Sequence, residues 1–187
     1  MKKQVILASG SPRRKELLGL IFDKFDIIVS NVEEIVPDNI SLEQQPEYLS
    51  KIKCSSVSSD YPEAIVIGAD TSVFAEGKVL GKPKNKEDAF NMLKILSGRF
   101  HDVITGVTVM CGDVCKSFSV VTKVEFFKLS DNEIDAYTET SEPYDKAGGY
   151  GIQSLGGLFV KGIIGDYNNV VGLPVAELNR VLQNYFL

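Results

Sequence analysis

Two hydrophobic periods alternate along the chain. The strand candidate Gln4–Ala8, apolar from Val5 on, and Ala64–Ala69 carry runs of consecutive apolar positions, the pattern of short strands buried on both faces. The second run ends in Asp70 and predicts a central strand with a carboxylate at its C-terminal end. Phe25–Ser30 predicts another strand. Ser72–Ala75 and Lys78–Leu80 flank Glu76-Gly77 as a hairpin, and His101–Cys111 and Val114–Lys128 form a β-rich pair around Gly112-Asp113. Helix signals lie between the strands. Ser11 is a cap with Pro12 at the first helical position. Ser41-Leu42-Glu43-Gln44 opens a helix reaching about Ser59, with Pro46 in its early part. Asn85 and Asp88 begin a helix over Lys86–Leu96 that Ser97-Gly98 ends, and Ser130 with Glu133 begins one near Asp131–Thr140. A last helix starts at Pro174 and carries Leu178, Val181, Leu182 and Tyr185 at helical spacing. Strands and helices mix throughout, so the class is α/β or α+β with a mixed sheet.

Composition narrows the function. In 187 residues, 20 Lys and Arg stand against 25 Asp and Glu, a net charge of −5, with 44% apolar residues. This is a globular composition for one domain, or two lobes sharing a core. Net acidity argues against bulk nucleic-acid binding but allows a local basic pocket for a small anion. The single histidine, His101, excludes HExxH zinc chemistry. Cys54, Cys111 and Cys115 are odd in number and badly spaced for a zinc site, so reduced thiols in a cytoplasmic protein are expected. The first apolar run is too short for a signal peptide, and no segment approaches the ~18 apolar residues of a membrane span.

Four segments carry candidate chemistry. Ser9-Gly10-Ser11-Pro12-Arg13-Arg14 follows a strand with a small-residue turn and a helix start that bears two hydroxyls and two guanidiniums. Arginine forks suit phosphate oxygens, and two positive charges in a first helical turn oppose the helix dipole unless an anion is present. The plainer reading is a capped helix with a solvated basic turn. In Gly68-Ala69-Asp70-Thr71, Asp70 is suited to be a metal ligand or a general base, and equally to cap a turn. Glu33 and Glu34 could join Asp70 around a Mg²⁺ or stand as a solvated acidic pair. Lys82 and Lys84 flank Pro83 on a stiff loop. Lys51 and Lys53, two apart on a helix, point to different sides. Lastly, Gly148, Gly149 and Gly151 precede Gln153, whose amide can both donate and accept at a base edge. No Walker A, GxGxxG or G-x-S-x-G pattern occurs.

Taken together, these segments resemble the Maf family of nucleoside triphosphate pyrophosphatases, the septum-formation inhibitor homologues. The matching pieces are Leu7–Arg14 with Glu16-Leu17-Leu18, Val32-Glu33-Glu34, Gly68-Ala69-Asp70-Thr71 and Leu80-Gly81-Lys82-Pro83. Further on come Leu96-Ser97-Gly98, Glu142-Pro143, Asp145-Lys146-Ala147-Gly148, Tyr150-Gly151-Ile152-Gln153 and Val171-Gly172-Leu173-Pro174. The resemblance covers nearly the whole chain in the family's order. It implies one α/β domain over residues 1–187, two-lobed with a central cleft, similar to the inosine triphosphate pyrophosphatases. It implies hydrolysis of a nucleoside triphosphate to the monophosphate and pyrophosphate, with a divalent cation, Mg²⁺ or Mn²⁺, and Asp70 as the proton acceptor. Arg13, Thr71 and Gln153 look like the dTTP/UTP-specific branch, and Lys82 fits it. Ser9, Ser11, Arg13, Arg14, Lys53, Thr71, Lys82 and Gln153 are the expected substrate-binding residues, and Glu33, Glu34 and Asp70 the expected metal ligands. Cys54-Ser55-Ser56, Gly149 and Asn168-Asn169 depart from the family pattern. A homodimer with no nucleic-acid or membrane partner is expected, in a house-cleaning role with a link to cell division. The competing reading is a non-catalytic nucleotide-sensing regulator of septum formation.

Overall fold

A computed structural model describes residues 3–187. Seven strands, β1 (Val5–Leu7), β2 (Asp26–Ile27), β3 (Ile65–Ala75), β4 (Lys78–Leu80), β5 (Phe100–Cys111), β6 (Val114–Phe126) and β7 (Val160–Ile164), form one mixed sheet. Its order is β2-β1-β3-β5-β6-β7, with β4 paired to β3 off that path. The α-helices are α1 (Pro12–Leu18), α2 (Gln45–Ser58), α3 (Lys86–Leu96), α4 (Asp131–Thr138), α5 (Tyr167–Val171) and α6 (Val175–Tyr185). The mixed α/β class expected from the sequence is the one observed. No helix among the described residues is long and apolar enough to cross a membrane. All three cysteines are free thiols.

Two expectations change. Ala64–Ala69 and Ser72–Ala75 are not separate strands but one strand, β3, and Asp70 lies inside it rather than at its end. The Asp-Thr-Ser link contains no Gly or Pro, and Ser72 and Val73 are buried, so nothing interrupts the ladder. The strand expected at Phe25–Ser30 shrinks to the two residues of β2, both exposed at the end of the sheet, where little burial is available to extend it. β7 and α5 were not legible beforehand. β7 is another end strand of half-exposed and exposed residues, and its pairing with β6 shifts register at Glu125/Phe126.

The chain divides into two compact units. The first comprises the chain up to Asp70, Thr105–Val120 and Gly172–Leu187. In it β1 pairs in parallel with both β2 and β3, with Ile6 opposite Asp26 and Val66. Helix α2 lies directly against strand backbone. A Cβ on Gly68 would sit 2.5 Å from the Ser50 carbonyl oxygen, and one on Gly106 would sit 2.2 Å from the Glu47 backbone nitrogen. Small groups on α2 complete the contact. The buried Ser50 hydroxyl lies 2.7 Å from the Glu47 carbonyl oxygen and 2.8 Å from the Thr108 hydroxyl, and the Cys54 thiol donates to the Val66 carbonyl. Ile6, Ala8, Cys54, Val57, Ala64 and Val66 form the apolar core there.

The second unit comprises Thr71–Ile104 and Val121–Val171. The end of β3 turns into β4 through Glu76 and Gly77, both at positive φ, as the hairpin pattern predicts. Its core is aromatic. Phe126 meets His101 and Tyr150 edge-on at 4.9 and 4.7 Å, and Tyr137 packs on Phe159. The His101 ring is buried, with Nε2 2.8 Å from the Tyr150 hydroxyl, and burial pushes its pKa down to about 4. This is a core histidine, not a ligand.

Candidate functional site

The turn after β1 is fixed from both sides. The Ala8 N–H donates to the Ile67 carbonyl, continuing the parallel ladder one residue beyond the strand. The next residue, Ser9, is buried, and its hydroxyl accepts from the Ser11 N–H at 3.3 Å. Ser11 caps α1 and Pro12 occupies its first turn, as the sequence indicates. Arg14 then folds back over the turn. Its Nε donates to the Gly172 carbonyl at 2.9 Å, and Nη1 donates to the Ala69 carbonyl at 2.8 Å and the Ser9 hydroxyl at 3.2 Å. Arg14 therefore ties three segments of the first unit together and places a fixed cation near Asp70. Burial lowers its pKa, Asp70 opposes that, and the neighbouring Arg13 adds to it.

The centre of this set is an ammonium shared by two carboxylates. Lys53 Nζ lies 2.7 Å from Asp70 Oδ1 and 2.9 Å from Glu34 Oε1. The Lys53 and Asp70 side chains are nearly buried, and that of Glu34 is half exposed. Glu34, not Glu33, is the member of the acidic pair that meets this cation. Glu33 is exposed one residue away. The close approach of α2 at Gly68 is what brings Lys53 to Asp70, since Gly68 lies two residues before Asp70, and Ser50 and Cys54, on either side of Lys53, touch it. Burial raises the Asp70 pKa from its ordinary value. The Lys53 and Arg14 charges work against that rise, and the Glu34 charge adds to it.

Thr71, Lys82 and Gln153 belong to the second unit. Thr71 is half-buried in β3, while Lys82 and Gln153 are exposed. The loop holding Lys82 is clamped by the glycine-rich segment. The Gly148 N–H donates to the Gly81 carbonyl at 3.0 Å, and a Cβ on Gly149 would meet the Pro83 ring at 3.1 Å. Gly148 and Gly149 both adopt positive φ, near 70°, which explains the two glycines. Gln153 stands in the turn just before a short 3-10 helix, Leu155–Phe159.

Sequence reasoning missed the groups that hold these side chains. The Gly172 carbonyl receives Arg14, although Val171-Gly172-Leu173-Pro174 stood out only as a motif. Glu142 anchors the turn carrying Gln153. Its Oε1 accepts from Ser154 Oγ at 2.7 Å, the Gly156 N–H at 2.9 Å and the Tyr137 hydroxyl at 3.0 Å, and its Oε2 from the Leu155 N–H at 3.1 Å. Burial works to raise the Glu142 pKa, but these hydrogen bonds outweigh it and hold the carboxyl below its usual value.

Fold and site together define a mixed α/β protein whose nearly buried carboxylate stands beside two basic side chains. A solved HAM1 protein from Coxiella burnetii shares the fold, at a TM-score of 0.54 and 12% identity over 98% of this chain and all of that one. The profile described as Maf-like protein matches residues 4–185, and the chain belongs to that family. It is 50% identical to a dTTP/UTP pyrophosphatase of Bacillus pumilus, over 97% of this chain and 96% of that protein. It is 49% identical to a dTTP/UTP pyrophosphatase of Bacillus velezensis, over 99% of this chain and 98% of that protein.

Proposed function

We propose that this protein is a nucleoside triphosphate pyrophosphatase that hydrolyses dTTP and UTP to the monophosphate and pyrophosphate. The observation that carries the mechanism is the nearly buried Asp70 carboxylate held 2.7 Å from Lys53. Water attacks the α-phosphorus, its proton passes to Asp70, and the bond to the bridging oxygen of the β-phosphate breaks, releasing pyrophosphate. Burial raises the Asp70 pKa, and a carboxylate raised in this way is a stronger base than an exposed one.

The triphosphate brings about four negative charges to a protein of net charge −5, so its binding rests on local cations. Arg13, Lys53 and Lys82 are assigned to the phosphates, with the Ser9 and Ser11 hydroxyls at the turn. Arg14 adds charge but uses Nε and Nη1 to hold the turn itself. Thr71 and Gln153 are assigned to the base and sugar. Among the described residues no three His, Cys, Asp or Glu side chains cluster as a metal cage. Asp70 and Glu34, the two carboxylates that meet at Lys53, are the hard oxygen donors that a Mg²⁺ or Mn²⁺ would take. Asp70 and Glu34 would hold it, and when bound it offsets the charge of the phosphates.

The test is incubation with Mg²⁺ and a panel of triphosphates, scoring pyrophosphate against orthophosphate. Pyrophosphate from dTTP and UTP, well above the purine nucleotides, is expected. Asp70→Asn should abolish turnover in a folded protein, and retained turnover would reject Asp70 as the base.

A further inference from the structure

We infer that Glu142 is a specificity-positioning residue, whose carboxylate sets the turn that presents Gln153 to the nucleotide base. This rests on the assignment of Gln153 to the base. Gln153 is exposed and long, so its amide can discriminate between bases only if the backbone beneath it is fixed. The backbone there lacks a ladder partner, since Gln153 lies between the glycine-rich segment and a short 3-10 helix. What fixes it is Glu142. Its carboxylate receives all three residues that follow Gln153, through the Ser154 hydroxyl and the Leu155 and Gly156 N–H groups.

The anchor is itself anchored. Tyr137 of α4 donates its hydroxyl to Glu142 Oε1, and its ring packs on Phe159 at the other end of the 3-10 helix. The Lys146 ammonium donates to the Glu142 carbonyl, holding the start of the glycine-rich segment to the same residue. On the far side the turn closes on itself, with the Ser154 N–H near the Gly151 carbonyl and the Gly157 N–H donating to the Ser154 carbonyl at 2.9 Å. The turn packs closely at its glycines. A Cβ on Gly157 would lie 2.5 Å from the Ile152 carbonyl oxygen, and one on Gly156 would lie 2.9 Å from the Tyr137 hydroxyl. Four donors converge on one carboxylate whose residue has no place among the groups assigned to phosphate or metal. Its task is to place its neighbours.

Glu142→Gln is the sharpest variant, because the shape is kept. The amide oxygen can keep the Oε1 contacts, but its NH₂ then faces the Leu155 N–H, donor against donor. The experiment measures kcat/KM for dTTP and dATP in wild type, Glu142→Gln, Gln153→Ala and the double variant, with Ser154→Ala as a milder cut at the same carboxylate. Glu142→Gln should lower the dTTP-over-dATP ratio about tenfold, the scale of one mispaired polar contact, and mainly through KM for dTTP. In the Gln153→Ala background the same change should leave the ratio where it is. Ser154→Ala should move the ratio in the same direction by less. A ratio unchanged by Glu142→Gln while Gln153→Ala lowers it would overturn the positioning role alone. A ratio unchanged by Gln153→Ala would overturn the base assignment and this inference with it. Equal losses on kcat for both nucleotides would show a merely structural residue and also overturn it.

Discussion

Substituting Gly68 by alanine should damage the proposed catalytic centre through the backbone. Gly68 is not at positive φ, so alanine fits the local conformation, and in an open strand it would stabilise by about 0.4–1 kcal/mol. Here the new methyl would lie 2.5 Å from the Ser50 carbonyl oxygen, 2.8 Å from Cys54 Cβ and 2.9 Å from the Cys54 nitrogen. Ordinary contact begins at 3.4 Å, so α2 must retreat by about 0.9 Å. None of the three opposing atoms is the end of a flexible side chain. Overpacking of this kind costs ~1–3 kcal/mol, which exceeds the entropic gain. The expected loss is therefore about 1–2 kcal/mol, or several degrees of Tm in a chain of this size. The same retreat carries Lys53 away from Asp70, where they now stand at 2.7 Å. A misplacement near 1 Å at a reacting centre lowers rates by up to ~100-fold. Urea denaturation and kcat/KM for dTTP read the two effects separately. A variant with wild-type stability and kcat/KM within a factor of two would refute the reasoning, since α2 would then have room to spare.

Removing the ammonium should move the pH profile. With Asp70 as the proposed base, activity should fall as pH drops through its raised pKa; Lys53→Met removes the largest force lowering that pKa, so the acid limb of the residual kcat/KM should shift to higher pH. An unmoved limb would take the base role away from Asp70. The single histidine offers a clean stability test. His101 has a folded pKa of about 4 against 6.5 when free, so between those values the unfolded chain binds the extra proton and stability falls as pH is lowered. Over the whole window the loss is about 3 kcal/mol. His101→Gln, which keeps a partner for the Tyr150 hydroxyl, should flatten the dependence of unfolding free energy on pH between 4 and 6.5.

The sequence by itself determined the elements whose signals are local. Ser11-Pro12, Asn85 and Ser130 cap the helices they predict, and Glu76-Gly77 makes the hairpin. Caps and turns are settled by residues within one turn of chain, so they are readable without the fold. It also put the basic turn, Asp70 and the two glutamates in view, because charged residues beside apolar runs stand out. Tertiary structure alone decided how they are used. It separated Glu34 from Glu33 by bringing Lys53 from another element, and it turned Arg14 toward carbonyls of Ala69 and Gly172, far away in sequence. It carried β3 through Asp70, because where a strand ends depends on its pairing neighbours as well as on the residues themselves. Gly68 and Glu142 stood in the sequence only as members of motifs, with their roles hidden for the same reason. A glycine that admits a helix and a carboxylate that anchors a turn act through partners about 15 residues off, and only the folded chain names those partners.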